Sequence, residues 1–145
     1  MKTLFKKVCI SSDHAGFKMK EIIKNFLINQ KISIIDLGPS ELVSVDYPDY
    51  AKKVAKRISL KKSDIGILVC GSGTGMAITA NKVKGIRAAV CYNKQSTYLC
   101  RQHNNANILC LGSRLTNKKE INKLVTIFLT TKFERGRHLR RVNKI

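Results

Sequence analysis

The 145-residue sequence contains no tryptophan, only two prolines, and nine acidic residues against 28 basic ones. It also has no apolar run of the length that spans a bilayer, and no amino-terminal apolar segment that ends in a small-residue cleavage site. We therefore expect a cytoplasmic protein without a membrane partner. The length predicts a single domain over residues 1–145.

The five cysteines form no CxxC pair, and no group of cysteines and histidines has the spacing of zinc ligands. An odd number of cysteines in a cytoplasmic chain argues against a disulfide framework, so we expect neither disulfides nor a metal. Cys9, Cys91 and Cys110 lie in apolar runs and are predicted to be small core residues, as is Cys100. Cys70 has a different setting.

The formal net charge of +19 raises the possibility of a nucleic-acid partner. However, the lysines lie on the polar faces of predicted helices, and no aromatic residues alternate with them to stack on bases. We therefore expect no nucleic-acid partner. The basic carboxyl-terminal tail, residues 132–145, has six Lys or Arg residues and no apolar stripe, so its use must lie outside the core.

Short apolar runs alternate five times with amphipathic stretches, which is typical of an α/β protein. Two of the runs, 65–70 and 86–91, are apolar on both faces, as in a parallel sheet covered by helices on both sides. We predict a doubly wound sheet of about five parallel strands flanked by helices, with Asn117 capping the last helix. The strands are predicted at 8–10, 32–37, 65–70, 86–91 and 108–111.

A glycine-rich loop follows the third predicted strand, which ends at Cys70. Gly71 and Gly73 fit a dinucleotide fingerprint, but Met76 replaces its third glycine, and no nucleotide P-loop occurs. We therefore expect no nucleotide cofactor. A strand-to-helix turn rich in backbone N–H groups can instead stabilise an oxyanion and a thiolate. Cys70 is placed there as a nucleophile or a base.

Other polar residues lie near the ends of the predicted strands. Asp13 and His14 follow the first strand, and Arg114 follows the fifth. His103 and Asn104 precede the fifth strand. We expect these junctions to converge on the crevice that holds Cys70.

Two arginines in the tail have the spacing of one helical turn. Arg137 and Arg141 are four residues apart, so both guanidinium groups would face one way. Paired guanidinium groups are suited to binding a phosphate.

Six motifs carry a resemblance over nearly the whole chain: DHAGF, DYPDYA, VCGSGTGMAITANK, GIRAAVC, RQHNNANILCLGSR and GRHLRRV. In this order they resemble the type B ribose-5-phosphate isomerases and their kin that act on allose 6-phosphate or galactose 6-phosphate. The resemblance implies a Rossmann-like fold, a homodimer or tetramer, and a site shared between subunits. A sugar phosphate would be the substrate.

The resemblance also implies residue roles. Cys70 would be the proton-abstracting base and His103 would open the sugar ring. Asp13 and Ser72 would take part in both substrate binding and catalysis. Ser72 stands where many members of the family have threonine. The loop that holds the enediolate oxygen would be Gly71, Ser72, Gly73, Thr74 and Gly75. The contacts to the sugar chain and phosphate would come from Asp13, His14, Asn104, Arg114, Arg137 and Arg141.

Three other readings stay open on the sequence alone: an isomerase of a six-carbon sugar phosphate, a thiol-dependent hydrolase, and a basic nucleic-acid-binding protein. The kin that act on galactose 6-phosphate divide these residues between two related chains. Here Cys70, His103 and Arg137 all occur in one chain, so the resemblance favours a self-sufficient pentose-phosphate isomerase. An aldose–ketose isomerisation involves no net redox change, so we expect no cofactor. We further expect each site to take Cys70 from one chain and His103 from its partner.

Overall fold

Five parallel strands form one sheet in a computed structural model that describes all residues from 1 to 145. Their order across the sheet is β2-β1-β3-β5-β4, which confirms the predicted doubly wound architecture. The third strand has the predicted bounds, whereas β4 is shorter than predicted. The strands are β1 (Lys7–Ser12), β2 (Ser33–Asp36), β3 (Ile65–Cys70), β4 (Ala88–Val90) and β5 (Ile108–Gly112).

Six helices surround the sheet. They are α1 (Phe17–Asn29), α2 (Tyr47–Ser59), α3 (Thr74–Ala80), α4 (Lys94–Gln102), α5 (Ile121–Thr130) and α6 (Gly136–Val142), with a 3₁₀ turn over Lys118–Glu120. Asn117 accepts a hydrogen bond from the Lys119 amide at 3.0 Å, but it caps the 3₁₀ turn. The prediction that Asn117 begins the last helix was wrong, because α6 follows α5 and uses a segment that has no apolar stripe.

The helices form two layers. Helices α1, α4 and α5 cover one face of the sheet, and α2 and α3 cover the other. Along β3 the side chains alternate, so that Val69 packs in the first layer and Leu68 and Cys70 in the second. All six residues of β3 are buried, as expected for a central parallel strand. The edge strand β4 is half-buried.

Four cysteines lie in these layers as small core residues, as predicted. Cys9, Cys91, Cys100 and Cys110 are buried free thiols. Burial raises the pKa of the Cys9 thiol to about 11, which keeps it protonated near neutral pH. All four thiols are closed off from solvent by their neighbours, so these cysteines contribute packing.

The sheet has two chemically distinct edges because all its strands point the same way. Loops that follow strands lie at the carboxyl edge, where the Asp13 amide donates to the Val69 carbonyl at 3.1 Å. Loops that precede strands lie at the amino edge, where the Gly66 amide donates to the Asn107 carbonyl at 2.9 Å. None of the helices has both the length and the apolar character needed to cross a membrane.

A buried lysine joins α1 to the end of β2. The Lys20 side chain is fully buried, and its Nζ donates to Asp36 Oδ2 at 2.7 Å and to Glu21 Oε1 at 2.8 Å. Lys24 reaches the same Asp36 oxygen at 2.9 Å. Burial alone would raise the pKa of Asp36, but the hydrogen bonds from the two lysines outweigh it and hold that pKa below its usual value. The ion pairs therefore stabilise the folded state.

We predict that Lys20→Met lowers the free energy of unfolding by about 1–3 kcal/mol near neutral pH, because the hydrogen bonds from a buried ammonium to two carboxylates are lost. The matched variant Lys24→Met, which removes a partly exposed partner of the same carboxylate, should cost about 0–1 kcal/mol. Denaturant titration measures both values.

The difference between wild type and Lys20→Met should shrink in acid. The contribution of Asp36 is present above the unfolded carboxyl pKa of about 3.9 and is lost as the pH falls through the lower folded pKa. Equal losses for the two lysine variants, or a difference that does not vary with pH, would contradict this account.

Candidate active site

A crevice opens at the carboxyl edge between β1 and β3. The chain leaves β1 towards α1 on one face of the sheet and leaves β3 towards α3 on the other, so the two loops diverge there. Ligands bind at such switch points in open α/β sheets. The cavity has a volume of about 270 Å³. Its lining residues are Asp13, Tyr47, Cys70, Gly71, Ser72, Gly75, Arg114 and Leu115.

Cys70 is the last residue of β3, and its thiol lies in the crevice. The residue is only 5% exposed, and its Sγ accepts a hydrogen bond from the Gly73 amide at 3.1 Å. Gly73 has a φ of 81°, a backbone conformation that a residue without a Cβ adopts readily. This turn aims a backbone donor at the sulfur, and such a donor stabilises a thiolate.

The loop beside the thiol offers unused backbone donors. The amides of Gly71, Ser72 and Gly75 donate no hydrogen bond within the chain, and all three residues line the cavity. The Thr74 amide is engaged, because it donates to Ser72 Oγ at 3.2 Å. The Ser72 hydroxyl therefore keeps its proton available, and the three free amides can receive an oxyanion.

Tyr47 and Arg114 form the walls of the crevice. A Cβ at Gly75 would lie 2.7 Å from the Tyr47 ring, so that position has no room for a side chain. The Arg114 guanidinium packs over Gly71, and the Arg114 amide donates to the Gly71 carbonyl at 3.0 Å. A positive charge therefore stands beside the free amides.

Asp13 and His14 follow β1 but differ in burial. Asp13 is 7% exposed and its Oδ1 accepts a hydrogen bond from the Gly16 amide at 2.9 Å, which fixes the carboxylate at the cavity wall. His14 is exposed, with its Nδ1 3.2 Å from the Val45 carbonyl oxygen, and it does not line the cavity. Asp13 is thus positioned to contact a ligand held beside Cys70.

A second polar group lies at the amino edge, where α4 ends. The imidazole rings of His103 and His138 stack with centroids 4.2 Å apart. Glu134 Oε2 lies 3.6 Å from His103 Nε2 and 3.3 Å from His138 Nε2. Burial, followed by the charges of His103 and Arg137, lowers the pKa of His138. The neutral form of the His138 imidazole is therefore favoured more than it is in a free histidine side chain.

The tail arginines and Asn104 belong to the same region as His103. Asn104 directly follows His103 and is exposed. Arg137 and Arg141 lie on α6, which also carries His138, and both are exposed and make no ion pair within the chain. Their one-turn spacing on a helix confirms the predicted geometry.

The structure brings together only part of the predicted site. Asp13, Cys70, the glycine loop and Arg114 share one crevice, whereas His103, Asn104, Arg137 and Arg141 do not line it. The reason is topological, because α4 returns the chain from the carboxyl edge to the start of β5. Within one chain, therefore, these junctions do not meet in a single crevice, and the expectation that His103 comes from a partner chain stays a prediction.

His103, Glu134 and His138 are the side chains that could hold a metal ion, since their ligand atoms lie within 4.8 Å of one another. The two ring planes differ by only 7°, so the imidazole lone pairs run side by side instead of converging on one point. Zinc sites need ligands that point at the metal. The cluster as it stands is better suited to exchanging protons and donating hydrogen bonds.

Four residues near these two groups had no predicted role. Tyr47 and His138 lie inside the motifs DYPDYA and GRHLRRV, but a motif does not say which of its side chains face a cavity. Tyr92 donates from its hydroxyl to the Ser72 carbonyl at 3.4 Å, and Glu134 joins the two histidines. No sequence signal distinguished these last two.

Comparison with known proteins gives a consistent result. The family model described as Ribose/Galactose Isomerase matches residues 8–145. The chain is 41% identical over 140 residues to ribose-5-phosphate isomerase B of Escherichia coli, which covers 97% of this chain and 94% of that protein. The residues matched by the family model include both the Cys70 crevice and the group formed by His103, Glu134 and His138.

Two solved structures share the fold over almost all of their length. The crystal structure of a ribose 5-phosphate isomerase from Thermotoga maritima has a TM-score of 0.93 and 49% identity, covering 95% of each chain. That of ribose-5-phosphate isomerase B from Mycoplasma genitalium, with bound ribulose-5-phosphate, has a TM-score of 0.91 and 44% identity, covering 95% of this chain and 92% of that one. The chain therefore belongs to the ribose/galactose isomerase family.

Proposed function

We propose that this chain interconverts ribose 5-phosphate and ribulose 5-phosphate, with Cys70 as the base that moves the carbon-bound proton. The observation that carries the proposal is that the Cys70 thiol and three unused amide donors open into one cavity of about 270 Å³. A base adjacent to an oxyanion site is what an enediolate mechanism needs. The assignment of ribose 5-phosphate is supported by the names of the relatives.

The reaction transfers one proton between neighbouring carbons. The Cys70 thiolate takes the proton from C2 of the open-chain aldose, and the electron pair of that C–H bond passes into the C1 carbonyl to give an enediolate. The thiol then returns the proton to C1, which leaves a ketone at C2. No electrons leave the sugar, so the step needs no redox cofactor.

The glycine loop stabilises the charge that develops on oxygen. The amides of Gly71, Ser72 and Gly75 are fixed by the backbone, so they donate to an enediolate oxygen without reorganising. The Ser72 hydroxyl accepts a hydrogen bond from the Thr74 amide and keeps its own proton. It can pass that proton to the sugar oxygen O1 and take one from O2, which moves a proton from O2 to O1. Asp13 holds the sugar hydroxyls beside the thiol.

We propose that two chains build each site. The sugar ring must open before Cys70 acts, and the His103 imidazole is a side chain that can both donate and accept the protons of that step. Within one chain His103 lies at the amino edge and Cys70 at the carboxyl edge. A homodimer, alone or within a tetramer, would bring the partner's amino edge to the crevice.

The phosphate would be held by arginines from both edges. Arg114 already stands at the crevice wall, whereas Arg137 and Arg141 would come from the partner's α6 with His103. Guanidinium groups bind phosphate through paired hydrogen bonds. Binding energy gained at the phosphate can hold C1 and C2 against Cys70.

We predict that Cys70→Ala lowers kcat for ribose 5-phosphate by about 10²–10⁴-fold, because a general base is lost. The affinity for the sugar phosphate should change little, since the phosphate ligands remain. Cys91→Ala, which removes a buried thiol outside the crevice, is the matched control and should keep its turnover.

The same assay tests the reaction type. Wild-type turnover in deuterated water should place deuterium on the sugar carbons, as an enediolate with an exchangeable proton requires. A Cys70→Ala enzyme within tenfold of wild type would overturn the role of Cys70, and a trapped covalent acyl or phosphoryl adduct on Cys70 would favour a hydrolase instead.

We predict that replacing both Arg137 and Arg141 by Ala weakens the binding of phosphorylated inhibitors about tenfold or more. The binding of unphosphorylated sugar analogues should be nearly unaffected. The reason is that the two guanidinium groups would contact only the phosphate. Arg135→Ala together with Arg140→Ala removes the same charge from the same segment and serves as control. Equal weakening of both inhibitor classes would show that α6 acts only structurally.

Mixed dimers test the sharing of the site. When Cys70→Ala and His103→Ala chains are refolded together, a mixed dimer has one site with both lesions and one site with none. Random pairing makes about half of the dimers mixed, so about a quarter of wild-type activity should return. Mixtures that stay inactive, after mass-tagged chains have shown subunit exchange, would refute the cross-subunit site while leaving the isomerase activity in place.

A further inference from the structure

A larger cavity, of about 750 Å³, lies at the amino edge of the sheet. It is lined by the residues that lead into β1, β3, β4 and β5 and by the end of α2. None of the residues that line the Cys70 crevice lines this cavity, and neither do His103, Arg137 and Arg141. Its lining is therefore distinct from both halves of the proposed active site, although Arg87 Nε donates to the carbonyl of Asn104 at 3.1 Å.

The cavity carries a strong excess of positive charge. Five basic residues line it, and its one acidic residue is Asp64. Asp64 Oδ2 accepts hydrogen bonds from the amides of Lys6 and Lys7 at 2.7 and 2.9 Å, so it is engaged by backbone donors. None of the five basic side chains forms a salt bridge. They are Lys6, Lys61, Lys84, Arg87 and Arg101.

Two of these cations are guanidinium groups with only neutral partners. Arg101 is 5% exposed; its Nη1 donates to Asn105 Oδ1 and to the Ala106 carbonyl, while its Nε is buried without a hydrogen-bond partner. Arg87 donates to the carbonyls of Asn104 and Asn105. Each guanidinium keeps one Nη group without a hydrogen bond. Unpaired buried charge is costly unless a counter-charge binds.

The two arginines also repel each other. Burial lowers the pKa of both guanidinium groups, and the charge of Arg87 lowers that of Arg101 further. The Arg101 guanidinium lies 5.1 Å from the Phe5 ring and 5.7 Å from the Phe128 ring, and these contacts offset only part of its charge. An anion placed between Arg87 and Arg101 would relieve this repulsion and accept hydrogen bonds from their unpaired Nη groups.

We infer that this cavity binds a small phosphorylated metabolite, with its phosphate between Arg87 and Arg101 and the lysines at the rim. Planar guanidinium groups favour phosphate, which accepts several hydrogen bonds at once. The volume is in the range of small-molecule sites, and Phe5 and Ile58 offer an apolar surface to the rest of the molecule. A nucleic-acid strand fits less well, because the cavity has one aromatic ring and no series of stacking platforms.

Inorganic pyrophosphate is the probe for this site. In a titration of the ¹⁵N-labelled protein followed by amide chemical shifts, we expect saturable shifts at Lys6, Ser63, Arg87 and Asn105. A second set at the Gly71–Gly75 loop would report the active site and should saturate independently. Shifts confined to the active-site loop would overturn the proposal.

Charge variants test whether the cavity itself binds the probe. The triple variant Lys6→Gln, Lys61→Gln, Lys84→Gln should weaken pyrophosphate binding at the cavity amides about tenfold or more, with kcat and KM for ribose 5-phosphate unchanged. The matched variant Lys52→Gln, Lys118→Gln, Lys119→Gln removes the same charge from exposed positions outside the cavity and should leave that affinity within about twofold. Equal weakening in both variants, or tighter binding of a random DNA duplex at the same amides, would overturn the inference.

Discussion

The parallel direction of all five strands is the constraint on which the rest of the molecule depends. It sends every loop that follows a strand to one edge and every loop that precedes a strand to the other. Cys70 and Asp13 follow strands and meet in a crevice, whereas His103 precedes β5 and lies at the opposite edge. Within one chain the thiol and the imidazole lie at opposite edges of the sheet, and this separation is the reason for proposing that a second chain completes the site.

Close backbone packing prepares the crevice for its chemistry. The Gly73 amide donates a hydrogen bond to the Cys70 sulfur, and the Tyr47 ring packs so closely against Gly75 that no side chain would fit at that position. The neighbouring amides remain without acceptors because the turn gives them none. Donors fixed in this way cost little reorganisation when charge develops on a bound oxygen. The loop is therefore organised before a ligand arrives, which supports the proposed role of Cys70 as a base.

Much of this arrangement could be predicted from the sequence, but not all. Apolar runs and glycine spacing identified the strands, the loop after β3 and the position of Cys70, because these depend on local sequence. The separation of His103 from Cys70 could not be read locally, since it depends on α4 reversing the chain direction before β5. The buried Lys20 was also missed, because a lysine on a helix is ordinarily solvated and only the position of Asp36 at the end of β2 explains its burial.

The buried cationic side chains of this basic protein differ in the partners that they have. With nine acidic residues against 28 basic ones, most cations have no carboxylate available, and exposed lysines need none. Lys20 is buried and has two carboxylates. Arg101 is buried to a similar degree, but its hydrogen-bond acceptors are an amide and a carbonyl oxygen and its other contacts are the Phe5 and Phe128 rings. The single carboxylate of the cavity, that of Asp64, accepts from the backbone amides of Lys6 and Lys7. A buried charge costs free energy unless it is paired, so the lack of a carboxylate beside Arg101 is the basis for proposing a counter-ion in the amino-edge cavity.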